Sequence, residues 1–177
     1  FGNPKYVGDP INAVKIFNEK EVDELIVIDI DATVENREPD FALIAHLAQE
    51  CRMPLCYGGG VKTSGQIGKI IGLGVEKVAL SSVVFERPEI IAESSEKFGS
   101  QSIVVVLDVK KSEENNGYQT YTHNGRKTTR RCPIEMAKEV ESLGAGEIVI
   151  NSIDHDGQMK GYDYHLIRKV REAVHIP

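Results

Sequence analysis

Short, nearly unbroken runs of apolar and β-branched residues alternate along this chain with longer segments whose apolar positions recur every three to four residues. The runs are "ELIVIDI" (24–30), "PLCY" (54–57), "KVALSS" (77–82), "SIVVVLDV" (102–109) and "EIVINSI" (147–153). Strands that face water on one side alternate apolar with polar residues; these do not, as expected of strands covered on both faces. Between them the helical spacing predicts helices over 9–20, 39–51, 63–73, 88–98, 133–143 and 163–174. Pro10, Pro88 and Pro133 stand near three of the helix starts, where a missing N–H costs little. Strand and helix in strict alternation point to βα units around a parallel sheet.

An internal echo strengthens that reading. "LGVEKVALSS" (73–82) and "LGAGEIVINS" (143–152) share a helix-ending Leu-Gly, a charged residue, an apolar strand and a polar exit. Repeated units of this kind fit a (β/α)8 TIM barrel or a doubly wound sheet, and the absence of GxGxxG after any strand favours the barrel. The chain opens in a loop-like segment without methionine and stops at "VHIP", which resembles the "CRMP" that precedes the second strand. Five strands are too few for a barrel of typically about 250 residues. The expectation is one partial barrel domain over residues 1–177, holding about strands 2 to 6 and lacking the first strand and at least the last two.

Composition narrows the class. With 41% hydrophobic and 27% charged residues the chain can bury an ordinary core. No run approaches the roughly 18 apolar residues of a spanning helix, and "FGNPKYVGDP" lacks the apolar centre of a signal peptide, so a cytoplasmic protein without membrane contact is expected. A net charge of −6 argues against nucleic acid as a partner. The densest basic run, "GRKTTRR" (125–131), reads as a solvated loop. Small phosphorylated ligands stay open, because backbone N–H groups bind them without net positive charge. Cys51, Cys56 and Cys132 are odd in number and lack CxxC spacing, so they read as reduced packing residues. The five histidines form no HxH or HExxH pattern; neither a metal nor a cofactor is expected.

Chemistry in such a barrel lies at the C-terminal ends of the strands. The exits here are Asp29-Ile30-Asp31, Gly58-Gly59-Gly60, Ser81-Ser82, Asp108-Val109-Lys110 and Asn151-Ser152, the last followed by Asp154 and Asp156-Gly157. A single acid after a strand is ordinarily a cap or turn residue. Five polar or glycine-rich exits together favour a site. Gly58, Gly59 and Gly60 offer bare amides to a phosphate, with a tight turn as the plain alternative. Ser81 and Ser82 can complete that pocket, and Asp156-Gly157 can offer amides to a second phosphate, which implies a substrate phosphorylated at both ends. Asp108 closes the most apolar strand, where burial raises a carboxyl pKa toward values useful for proton transfer; it is the first candidate general acid or base. Lys110 follows on the same face. At the strand entrances, Glu24, Lys77 and Glu147 alternate in sign and are candidates for a salt-bridged ring across the barrel floor, a gate to its interior.

At this point the residues resemble a known family, the cyclase subunit of imidazole glycerol phosphate synthase (HisF). The similarity runs through essentially all 177 residues, carried by "GDPINAVKIFNEKEVDELIVIDI", "YGGGV", "GVEKVALSS", "FGSQSIVVVLDVK", "YTHNGRK" and, most specifically, "LGAGEIVINSIDHDGQMKGYD". The resemblance implies a reaction joining ammonia to a bis-phosphorylated carboxamide ribotide. It releases imidazole glycerol phosphate and aminoimidazole carboxamide ribotide in histidine biosynthesis. It also implies a heterodimer with a glutaminase subunit of the HisH type, whose ammonia passes through the barrel. By the same resemblance Asp108 matches one of two catalytic aspartates, the other belonging to a first strand outside this sequence. Gly60, Ser81 and Ser82 fall on one phosphate site and Asp156 and Gly157 on the other. Glu24, Lys77 and Glu147 fall on the ammonia gate, with Gln101 near the channel entrance; Asp29, Lys110 and Asn151 remain further active-site candidates. The family commonly has Asn-Thr at Ser81-Ser82 and threonine at Asn151. "IDIDAT" and "GQMKGYD" also resemble a HisF-like paralog associated with surface-polysaccharide genes, which feeds ammonia to sugar amidation. That paralog is the alternative expectation, with a different phosphosugar isomerase on the same barrel as a third.

Overall fold

The computed structural model describes residues 6, 8–113 and 117–177. Most of the opening segment expected to be loop-like lies outside them. The chain gathers into two compact units, one running to Ala79 and the other from Leu80 onward.

In the first unit the order is α1 (Pro10–Glu19), β1 (Leu25–Ile28), α2 (Phe41–Glu50), β2 (Leu55–Gly58), α3 (Ser64–Gly72) and β3 (Lys77–Leu80). Each helix begins where a side chain takes over an orphan N–H. Asp9 accepts from Ile11 N ahead of Pro10, and Asp40 accepts from Ala42 N and Leu43 N. Thr63 and Gln66 form a reciprocal capping box, a device worth about 1 kcal/mol for the Thr alone. β1 pairs with β2 in parallel (Leu25↔Leu55, Ile28↔Gly58), and β2 with β3 (Cys56↔Lys77, Gly58↔Ala79). Val14, Ile44, Leu47, Leu55, Tyr57, Ile67, Ile70 and Val78 form the buried core. β2 is buried at every position, as its unbroken apolar run predicts. β1 departs from that expectation: Ile26 and Ile28, on one face, are 38% and 42% exposed.

The second unit holds α4 (Val83–Glu86), α5 (Glu89–Phe98), a 3₁₀ turn (Ser100–Ser102), β4 (Ile103–Lys111), β5 (Tyr118–Thr122), β6 (Lys127–Thr128), α6 (Pro133–Ser142), β7 (Glu147–Ser152) and α7 (Tyr164–Arg171). β4 and β7 are parallel over six residue pairs, from Val104↔Glu147 to Val109↔Ser152. The architecture is α/β, with parallel βα units of the kind that make up part of a (β/α)8 TIM barrel. The two copies of the sequence echo have the same geometry: Leu73 and Leu143 end their helices in αR, and Gly74 and Gly144 follow at φ 99°. Each then leads into a strand.

Two elements correct the sequence expectation. β4 continues past Asp108 into an antiparallel ribbon with β5 (Lys111↔Tyr118, Val109↔Thr120), and β5 pairs with β6 (Tyr121↔Thr128). The basic run "GRKTTRR" is therefore not simply a solvated loop. Lys127 and Thr128 lie in β6, and Arg131 pairs with Glu139 of α6. Polar composition hid the ribbon. Gln119, Thr120 and Thr122 are buried, and such groups tolerate burial only when bonded. Thr128 Oγ1 donates to Gln119 Oε1 at 3.1 Å, and Thr120 Oγ1 donates to Arg131 O at 3.2 Å.

Candidate active site at the strand exits

β4 is buried continuously from Ile103 to Leu107, so its first polar side chain, Asp108, emerges beside an apolar wall. Directly across the parallel ladder stands Asn151 of β7, whose Nδ2 donates to Asp108 Oδ1 at 2.7 Å. Burial pushes the Asp108 carboxyl above its ordinary value; the Asn151 bond pulls it down, and the nearby charge of Asp156 pushes it up again. The net displacement is upward, the direction that suits a proton-transfer group near neutral pH. Lys110, two residues on and so on the same face, is exposed.

β7 leaves through residues 153–163. Ile153 N donates to Val109 O at 2.9 Å, and the amides of His155 and Asp156 both turn back to Ser152 O at 2.9 Å. Gly157 follows at φ 67°, with open space where a Cβ would stand. Here glycine answers to backbone conformation alone. Asn151, Ser152, His155, Asp156 and Gly157 help line a pocket of about 300 Å³. His155 Nδ1 is buried there without a hydrogen-bond partner among the described residues. At its far end the segment closes on Asp163, which caps α7 by accepting from Leu166 N at 3.1 Å. Asp163 is only 7% exposed, and both its oxygens accept from Tyr118 Oη, at 3.0 and 3.1 Å. Burial and the Asp163 carboxylate push the Tyr118 phenol up to about 12, so it stays protonated as the donor.

In the first unit the exits are packed more tightly. Asp29 accepts from Arg37 through Nη1 at 2.9 Å and Nη2 at 3.3 Å, and from the amides of Asp31 and Ala32. Burial would raise its carboxyl, but the Arg37 bond and charge together with the two amides bring it below the ordinary value. A Cβ on Gly58 would lie 2.9 Å from Ala79 Cβ, one on Gly59 2.4 Å from Asp29 O, and one on Gly60 2.6 Å from Arg37 O. Gly59 and Gly60 also sit at φ 113° and 69°. The triple glycine is therefore required by the approach of neighbouring backbone, whether or not a phosphate also binds there. In the second unit, Ser81 and Ser82 are half-buried at the start of α4, and their carbonyls accept from Val84 N and Phe85 N.

Among the entrance residues, Lys77 Nζ lies 2.9 Å from Glu24 Oε1, both side chains being about one-quarter exposed (24% and 30%). Glu147 begins β7 opposite Val104. Gln101 lies in the 3₁₀ turn, with Nε2 donating to Phe98 O at 3.4 Å. Among the described residues no group of three or more His, Cys, Asp or Glu is placed to hold a metal ion, and no helix is long and apolar enough to cross a membrane.

Sequence reasoning missed Tyr118, Arg37 and His155. Arg37 carried no signal, since a lone arginine in a loop is ordinarily solvated. Tyr118 had a weak one, the alternation in "YQTYT".

The family model described as "Histidine biosynthesis protein" matches residues 1–177. The chain belongs to this histidine biosynthesis family. Three relatives align with its whole length. A Vibrio vulnificus protein provisionally named imidazole glycerol phosphate synthase subunit hisF3 is 55% identical, and this chain covers 68% of it. A Leptospira borgpetersenii protein with the provisional name imidazole glycerol phosphate synthase subunit HisF is 50% identical, with 70% covered. The Pseudomonas aeruginosa protein provisionally named subunit hisF2 is 49% identical, also with 70% covered. In this family member the glycine turn, the Asp108–Asn151 pair and the 153–163 segment all fall within the matched residues.

Proposed function

We propose that this protein is the ammonia-dependent cyclase subunit of an imidazole glycerol phosphate synthase, forming imidazole glycerol phosphate and aminoimidazole carboxamide ribotide in histidine biosynthesis. The observation that carries the reading is Asp108: a carboxyl raised by burial, held at one oxygen by Asn151, at a strand exit whose neighbouring segment lines a pocket with Asp156 and Gly157. The synthase names of the relatives support the same reaction, and none of those three names speaks for sugar amidation.

In this reading Asp108 transfers protons during ammonia addition and ring closure, and Asn151 holds it in place. Asp156-Gly157 serves one substrate phosphate, with Gly157 as the amide donor because the Asp156 amide is bonded to Ser152 O; the Gly58-Gly59-Gly60 turn serves the other, and Ser81 and Ser82 are further phosphate-binding candidates. Lys110 stands by as an exposed cation. Asp29, tied to Arg37, shapes the exit of β1. The 177 residues act as one partial barrel domain, working in the cytoplasm. A HisH-type glutaminase docks in a heterodimer at the strand entrances. The Lys77–Glu24 ion pair supports a gate there, as a polar closure suits a channel that must keep ammonia from equilibrating with water.

The test is direct: the full-length protein is purified and assayed with the bis-phosphorylated ribotide and ammonium salt. Release of both products supports the reading; folded protein without turnover sinks it. Asp108→Asn should lose turnover while retaining ribotide binding, because the carboxylate moves protons and does not anchor phosphate.

A further inference from the structure

The 153–163 segment is exposed over most of its length, and from Asp156 to Tyr162 every residue is exposed. A segment of that kind is poorly ordered unless something fixes its ends. Beside the Ile153 N to Val109 O bond at its start, two anchors from the antiparallel ribbon that follows Asp108 do so. Near the start, Lys111 N donates to Asp154 Oδ2 at 2.9 Å. At the end, Tyr118 Oη donates to both oxygens of Asp163. Lys111 and Tyr118 are themselves register partners across β4 and β5. The two anchors are thus one rung of one ribbon, and they grip the two ends of the same segment.

The anchors differ in strength. Asp154 is exposed, so water competes for its bond. Tyr118 and Asp163 are 4% and 7% exposed, so water competes less for the bonds between them. The dominant anchor is therefore Tyr118. Asp163 transmits it: the same Oδ1 that accepts from Tyr118 also caps α7 through Leu166 N, which fixes the segment's end to the helix that follows.

From this we infer that Tyr118 is a positioning residue for substrate binding: by clamping Asp163 it holds the 153–163 segment, and with it the Gly157 amide, in the conformation that receives a substrate phosphate. The inference rests on the proposed phosphate role of that segment. It assigns a function to a ribbon that strand-exit chemistry alone leaves unexplained.

Two measurements on wild type and Tyr118→Phe test it. The first is steady-state kinetics with the ribotide and saturating ammonium salt. KM for the ribotide should rise about tenfold while kcat stays within about twofold, since the loss of one bond to a buried carboxylate loosens binding and leaves Asp108 untouched. The second is amide hydrogen exchange, where protection across 153–163 should drop and that of β4 and β7 should hold. A fall in kcat at constant KM, or unchanged exchange, overturns the inference; so does faster exchange with an unchanged KM. If wild type does not turn over the ribotide, the proposed reaction fails, and the clamp is then decided by exchange together with binding of inorganic phosphate, which should weaken in the variant. Should Tyr118→Phe not fold, Asp163→Asn keeps the cap oxygen for Leu166 N while weakening the bond from Tyr118, and the same shifts are expected.

Discussion

The Asp108–Asn151 pair allows a quantitative test of how the candidate acid is tuned. Asn151→Ala removes the donor 2.7 Å from Asp108 Oδ1 and leaves the carboxyl in its half-buried place on β4. Hydrogen bonds to charged groups contribute about 1.5–3 kcal/mol, and water entering the vacated space recovers part of that, so the low end applies. At ~1.4 kcal/mol per factor of ten, about 1.5 kcal/mol is roughly a tenfold change in the ratio of ionised to neutral Asp108 at a given pH. The sign follows from which form the bond favours. The amide donor stabilises the carboxylate, so without it the upward push of burial and the Asp156 charge is less opposed and the carboxyl titrates at higher pH. Whether turnover needs the carboxylate as base or the neutral acid as donor, the limb assigned to Asp108 moves to higher pH. The assay is the pH profile of kcat/KM for the ribotide, with free ammonia rather than total ammonium held constant. A limb that stays in place or moves to lower pH would refute the tuning role of Asn151.

Other outcomes follow from the same geometry. Asp108→Asn should raise the melting temperature near neutral pH. A carboxyl raised by folding imposes a cost above its folded-state pKa that vanishes below its unfolded-state pKa, so calorimetry should find the gain shrinking as pH falls through that window. Each kcal/mol amounts to about 2–4 °C for a chain of this size. Gly59→Ala should destabilise by more than ~2 kcal/mol, because it combines φ 113° with a Cβ 2.4 Å from Asp29 O; an unchanged denaturant midpoint would contradict that packing. With a glutaminase partner bound, Lys77→Ala leaves Glu24 without the cation now 2.9 Å away. Glutamine-dependent turnover should then fall more than turnover driven by ammonium salt, and equal changes in both would remove the gate from the account.

The parallel strands and six of the helices were legible because burial on both faces and a one-sided apolar stripe leave periodic marks. The segments predicted over 39–51 and 63–73 became Phe41–Glu50 and Ser64–Gly72, trimmed at the ends where caps take over. The ribbon was not legible. Its buried threonines and glutamine are held by specific side-chain bonds, and a bond to a partner nine or more residues away leaves no periodicity. For the site, polar exits could be located but not ranked. The triple glycine reads in sequence as an invitation to phosphate, yet the positions of Asp29 O, Arg37 O and Ala79 Cβ already demand glycine. Asp163 was visible only as a helix start; its bond to Tyr118 depends on a contact 45 residues away.

Asp29 and Asp108 make the ranking problem concrete. Each leaves an apolar strand, each is desolvated, and nothing in the local sequence separates them. Their partners do. Asp29 faces a guanidinium and two backbone amides, which hold it ionised and fixed; Asp108 faces one neutral amide, which orients it without supplying a charge. The surroundings move the two carboxyls in opposite directions, Asp29 down and Asp108 up, and on that difference the proposed reading assigns proton transfer to Asp108. The same contacts bear on how an acidic chain can take an anion. Arg37 is engaged by Asp29 and by Glu35 at 2.6 Å, so it is not a free cation at the glycine turn. In the proposed reading, recognition of a phosphate at the glycine turn then falls to backbone N–H groups, whose donors carry no net charge. That is compatible with a net charge of −6, because backbone donors bind an anion without net positive charge.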